Sequence, residues 1–356
     1  MKNLHTCFRL LSTGAAITTI SMLAMTSTTA SAGNYYNCAD STGCAKVQRT
    51  FNFTNYNATK YPIVMAHGFL GWNRLFNTLD YFNGIPQTLS MNGADVFTTK
   101  TSTVNSIEVR GEQLLSQIRT IKAITGSDKV NLVGHSQGGL DSRYVASIDP
   151  QAVASITTVA SPHTGVGVAD KVNTWLKARE KANGVPEGQD GIEAKVLYNL
   201  FEIAGLGVGA ASGIPLNKPQ EQSAKGFLNS VSEEAFVAFN KAHPGPIPSS
   251  YCGNTPANNV MNGVAYYSFS GVGQSTNLLD ASDAILNVTG SLYDKSDLND
   301  GLVTKCSSRI GQVIRDDYHM NHLDSINQLL GLVSWRETNP LTVYRQQMNR
   351  VKNDGY

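Results

Sequence analysis

The chain predicts an α/β fold with a mostly parallel central sheet flanked by helices, and three observations carry that expectation. Short apolar strand-like runs alternate with longer stretches of helical periodicity. Some of the strand-like runs are mostly apolar rather than alternating, as suits buried parallel strands. One of them, V-N-L-V from Val130, leads directly into G-H-S-Q-G, a strand-to-helix turn pattern built around a serine.

Taken in order, Tyr61 to Ala66 (Y-P-I-V-M-A) and Asp95 to Lys100 read as strands. Ser106 to Thr125 reads as a helix, with Leu114, Leu115, Ile118 and Ile121 at helical spacing and Gly126 as its stop. The strand from Val130, a helix carrying L-D-S-R-Y-V-A-S-I and a strand over Ala154 to Ala160 follow. Gly263 to Ser270 alternates like a strand near one end of the sheet. No linker divides residues 33–356 and no repeat is present, so one domain is expected.

Residues 1–32 read as an export signal. Lys2 and Arg9 give a positive start, Leu10 to Met25 an apolar stretch diluted by Ser and Thr, and Ala30-Ser31-Ala32 a cleavage site. No later run reaches the ~18 apolar residues of a membrane span, so a secreted chain without a transmembrane segment is expected. The full chain carries 28 basic and 27 acidic residues. That balance leaves no electrostatic footprint for nucleic acid. Of the five cysteines, Cys7 lies in the signal. The even remainder predicts two disulfides, and of three possible pairings Cys38 with Cys44 and Cys252 with Cys306 are favoured.

Ser136 falls at the apex of the G-x-S-x-G turn, where Gly134 and Gly138 leave room for backbone to pass backbone. In α/β-hydrolases such a serine is a nucleophile, and the amide after it joins one from a loop following an early strand to form an oxyanion hole. Those amides are expected to be Gln137 and Phe69, the latter in His67-Gly68-Phe69. A carboxylate and a histidine are then required. Asp294, Asp297, Asp300, Asp316 and Asp317 all lie late enough for the acid, and His319 competes with His322 for the base.

The runs Y-P-I-V-M-A-H-G-F-L-G, E-V-R-G-E-Q-L-L, K-V-N-L-V-G-H-S-Q-G-G, N-D-G-L-V-T-K-C-S-S and M-N-H-L-D-S-I-N-Q-L-L-G-L resemble the secreted triacylglycerol lipases of Pseudomonas and Burkholderia. They extend in family order from about Tyr61 to Leu332. The chain departs from that pattern between Gly33 and Lys60 and between about Asp170 and Leu216. The resemblance implies an α/β-hydrolase fold, a triad of Ser136, Asp300 and His322, and hydrolysis of triacylglycerols at an oil-water interface. It implies a structural Ca²⁺ held by the side chains of Asp280 and Asp324 and the carbonyls of Gln328 and Leu332. It also implies a helical lid over about 170–216, with hinges at the glycines of G-L-G-V-G-A-A-S-G, and a dedicated foldase with export machinery. An esterase acting on other esters with the same triad, or a lipid-binding protein on an inactive scaffold, are the competing readings.

Overall fold

A computed structural model describes residues 33–40, 43–49 and 54–356. The export signal expected over residues 1–32 lies outside them. The chain opens with an antiparallel hairpin, β1 (Asn34–Asp40) and β2 (Gly43–Arg49), in which Cys38 faces Cys44 and is bonded to it. The expected disulfide loop is thus the end of a sheet extension. Next come β3 (Ile63–Ala66), a small pair β4 (Arg74–Leu75) and β5 (Leu79–Asp80), α1 (Ile85–Met91) and β6 (Val96–Thr98). Then follow α2 (Ile107–Thr125), β7 (Val130–His135), α3 (Gln137–Ile148) and β8 (Val153–Val159). Ser106 caps α2 through its side chain, and Gly126 ends it in a left-handed conformation.

Four helices cover the next segment: α4 (Gly167–Ala182), α5 (Ile192–Ala211), α6 (Ala224–Ser230) and α7 (Glu233–Ala242). The chain closes with β9 (Val260–Met261), β10 (Val264–Gly271), α8 (Ser282–Gly290), β11 (Gln312–Tyr318) and α9 (Pro340–Asn353). Among the described residues, no helix is long and apolar enough to cross a membrane.

The main sheet runs β11-β10-β8-β7-β3-β6-β1-β2, with β9 antiparallel on β10. Every pairing from β11 to β1 is parallel. Residues of β3, β7, β8 and β10 are buried throughout. One face packs on α1 and α9 through Ile85, Leu89, Val343 and Met348. The other packs on α2 and α3 through Leu114, Ile118 and Val145. Because β7 and β6 lie on opposite sides of β3, the chain reverses its winding there. The loops leaving β3 and β7 open side by side at the carboxyl edge of the sheet, where such folds place their sites.

Candidate active site

The turn after β7 places Ser136 at φ 54° and ψ −126°, a strained region for a residue with a Cβ. Its amide is tied to the Val159 carbonyl at 2.9 Å, which anchors the turn to β8. A Cβ on Gly134 would lie 2.3 Å from the Gly138 carbonyl oxygen, and one on Gly138 2.2 Å from that of Ala66. Backbone passes backbone too closely for any other residue, so the glycines of the motif are a packing requirement.

Asp300 and His322 meet at the end of β11. Asp300 is buried, and its Oδ1 accepts from the Leu302 and Val303 amides at 3.0 and 2.8 Å. Its Oδ2 accepts from His322 Nδ1 at 2.8 Å. The His322 amide in turn donates to the Asp300 carbonyl at 2.9 Å. With Nδ1 donating to the carboxylate, Nε2 of the neutral ring is left as a base. The His322 ring stands 4.6 Å from that of His135, the residue preceding Ser136.

Among the described residues this is the one contact between an imidazole and a carboxylate. Of the competing acids, Asp316 pairs with Lys305 and Arg309, and Asp317 with Arg315. Asp294 and Asp297 line a separate cleft with Tyr251 and Tyr293. His319 is turned to Ser334 Oγ, 3.0 Å away.

The loop after β3 brings Gly68 against the nucleophile: a Cβ there would lie 2.8 Å from Ser136 Cβ. Neither the Phe69 nor the Gln137 amide donates to another described residue. Two free N–H groups on the loops flanking a serine form the kind of arrangement that meets a developing oxyanion. Arg110 holds this loop from below, donating to the His67 carbonyl at 2.6 Å and to the Ser102 carbonyl, while Asp141 accepts from its Nε at 2.9 Å. Burial, with the Arg110 charge nearby, pushes His67 down to about 3, so it stays neutral.

Sequence patterns alone assign no role to Arg110. Its position three residues after Ile107 and four before Leu114, on the buried face of α2, was the available signal.

A family model of the alpha/beta hydrolase fold matches residues 61–184. A triacylglycerol lipase of Vibrio cholerae is 43% identical over 300 residues, covering 84% of this chain and 90% of that protein. Triacylglycerol lipases of Pseudomonas fragi and Burkholderia plantarii are 38% and 35% identical, covering 83% and 84% of this chain and 98% and 88% of theirs. The chain belongs to the triacylglycerol lipase family. Among solved structures, a Bacillus licheniformis lipase in mature form superposes with a TM-score of 0.52 at 18% identity, covering 83% of this chain and 93% of that one. That likeness concerns the fold.

In the present chain, α4 and α5 occupy the stretch expected to form a lid. Phe201 of α5 meets the Phe69 ring edge-on at 5.5 Å, and Phe227 of α6 stacks on it at 3.9 Å. The aromatic side chain of the loop after β3 is thus held by rings of α5 and α6. On its outer side α5 exposes Ile192, Val196, Leu200 and Ile203. The glycine run over which hinges were expected is helical as far as Ala211, where α5 ends. Lys100 Nζ donates to the Gly209 carbonyl at 2.9 Å and the Phe76 amide to the Ala211 carbonyl at 2.7 Å. A cation and a donor at a helix C-terminus satisfy its last carbonyls and suit its dipole.

The residues implied for a cation lie around the turn after His322. Asp280 and Asp324 are buried, and Asp324 Oδ1 has no hydrogen-bond partner. Burial, reinforced by Asp280 and Asp283, pushes the Asp324 carboxyl up to about 7. The Gln328 and Leu332 carbonyls accept no hydrogen bond from described residues. No group of three or more His, Cys, Asp or Glu among the described residues is disposed to hold a metal. A cation here would rest on two carboxylates and backbone oxygens, a hard donor set suited to Ca²⁺. The second disulfide joins Cys252 to Cys306, tethering the segment before β9 to the one after Asp300.

Proposed function

We propose that the chain hydrolyses the ester bonds of triacylglycerols through an acyl-enzyme on Ser136. The observation that carries this reading is the buried Asp300–His322 pair, whose imidazole lies against the ring of His135, the residue before a serine on a strained strand-to-helix turn. His322 Nε2 takes the Ser136 proton as Oγ attacks the carbonyl carbon, then gives it to the departing alcohol. Asp300 fixes the tautomer and stabilises the imidazolium. The Phe69 and Gln137 amides meet the oxygen that becomes negative, a role in which one lost donor typically costs ~100-fold or more. Water then attacks the acyl carbon as His322 takes its proton, and the bond to Ser136 Oγ breaks as His322 returns that proton to it, releasing the fatty acid. The apolar outer face of α5 favours substrate presented at a lipid surface over a soluble ester.

Asp280, Asp324 and the Gln328 and Leu332 carbonyls would hold Ca²⁺, whose charge would compensate the buried carboxylates and brace the turn behind His322. The signal-like residues 1–32 and the two disulfides support export in an oxidising compartment. The family resemblance supports a foldase partner.

The test is a serine-directed phosphonate with peptide mapping, alongside Ser136→Ala. Labelling at Ser136 and loss of all but background hydrolysis by a folded Ser136→Ala protein are expected. Labelling elsewhere, or substantial turnover by that variant, would assign the nucleophile to another residue.

A further inference from the structure

A chain of hydrogen bonds runs from the oxyanion loop to the loop bearing His322, and its end groups determine its direction. The Gly68 N–H can only donate, and it gives to Tyr81 Oη at 3.1 Å. At the other end the His322 carbonyl can only accept, and His135 Nε2 lies 3.1 Å from it. His135 Nε2 therefore carries a proton. The ring is fully buried, which with the nearby His322 drives its pKa far down and keeps it neutral. Nδ1 is then an acceptor, and the Tyr81 hydroxyl 2.8 Å away donates to it. Each member has one role, and reversing any bond leaves a buried group unpaired.

The chain is mounted rigidly. Trp72 and His67 meet the Tyr81 ring edge-on at 5.2 and 5.8 Å. A Cβ on Gly68 would lie 2.9 Å from Tyr81 Oη and 3.2 Å from the His135 carbonyl oxygen. The His322 carbonyl also accepts from Ser325 Oγ at 2.7 Å, so its end of the chain is held from two sides.

We propose that Tyr81 and His135 are positioning residues, fixing the oxyanion loop against the loop of the base so that the donors and His322 engage one acyl centre. This rests on the serine-esterase reading above. Neither residue need touch substrate. Their effect is on the spacing between groups that do, where small displacements cost rate.

The experiment is steady-state hydrolysis of a soluble short-chain aryl ester, with unfolding midpoints, for Tyr81→Phe, His135→Phe, His135→Gln and the double Tyr81→Phe/His135→Phe. Tyr81→Phe and His135→Phe should each lower kcat about 10-fold or more, less than outright loss of an oxyanion donor. KM should stay within about twofold, the mark of an interaction needed in the transition state. His135→Gln, whose amide can accept from Tyr81 and donate to the His322 carbonyl, should recover most of the loss. The double should cost no more than the worse single, because one chain is broken either way. A Tyr81→Phe protein with kcat unchanged, or singles whose losses multiply in the double, would overturn the relay. If His135→Phe does not fold, Tyr81→Phe, which removes one oxygen, tests the same chain of bonds. Phosphonate mapping of the parent separates the two failures. No label at Ser136 brings down the serine reading and the relay with it, whereas a labelled Ser136 with normal Tyr81→Phe kinetics brings down the relay alone.

Discussion

The floor of the site and the helices above it are held by opposite means. On the floor, Asp300, His322, His135 and Arg110 are buried and joined to one another or to backbone groups by hydrogen bonds. From α4 to α6, the ion pairs Arg179–Glu193 and Lys225–Asp190 lie at the surface, and apolar side chains of α5 are exposed. Buried polar contacts are costly to break singly, whereas exposed pairs contribute little. A geometry held by buried bonds costs more to change than one held at the surface. Phe69 belongs to both, with its amide in the floor and its ring under the cover.

The sharpest break falls on the floor. Asp300→Asn should leave His322 with the wrong tautomer and lower kcat up to ~10⁴-fold, by analogy with serine proteases, on soluble and emulsified substrates alike. Near-normal turnover would point to another acid.

A break in the cover should separate those substrates. Leu200→Asp with Ile203→Asp removes two apolar side chains from the outer face of α5, each worth about 1.5 to 3 kcal/mol when fully buried in lipid. Emulsified triacylglycerol hydrolysis should fall roughly tenfold or more, while kcat on a soluble ester stays within about twofold. Equal losses on both would make α5 part of the floor.

For the cation, Ca²⁺ at ~100 times its Kd would add about 2.7 kcal/mol by mass action, or roughly 5 °C in Tm for a chain of this size. Asp324→Ala should abolish most of that rise. A parent Tm indifferent to chelator would remove Ca²⁺ from the account.

Acid should weaken the floor selectively. Burial drives His67, His135 and His163 far below the ordinary histidine value, with Arg143 adding to the effect at His163. Below pH ~6.5 the unfolded chain takes up protons at these positions and the folded chain does not. Stability should therefore fall as pH drops from 7 to 5, by up to about 1.4 kcal/mol per pH unit for each histidine. In His163→Gln the slope of urea-unfolding free energy against pH should be shallower; an unchanged slope would mean that His163 is protonated in the fold. The smallest effect belongs to the cover: Arg179→Ala should shift Tm by no more than about 2 °C.

What could be read in advance follows the same division. β3 was legible because a strand covered on both faces can be wholly apolar, and β7 and β8 because apolar residues still outweigh bulky polar ones in them. The turn at Ser136 was legible because its glycines admit no substitute. β11, Q-V-I-R-D-D-Y, was not, since an edge strand with charged side chains looks like a loop. Local chemistry alone left five carboxylates and two histidines open, and resemblance selected Asp300 and His322. It is their meeting across 22 residues that local pattern cannot express. That α5 runs through its glycines to Ala211 was not legible, because Lys100, which donates to the Gly209 carbonyl near its end, is distant in sequence.

The charges that hid β11 from view have a consequence for how the protein behaves in a crowd. β11 ends the sheet, and an unpaired edge is a template on which another chain can hydrogen-bond. Arg315, Asp316 and Asp317 sit on that edge, bound to Glu337, Lys305, Arg309 and one another. A second strand docking there would have to break these pairs and bring like charges together. An edge occupied in this way is a poor template for a second copy, even in a chain that displays apolar side chains elsewhere on its surface.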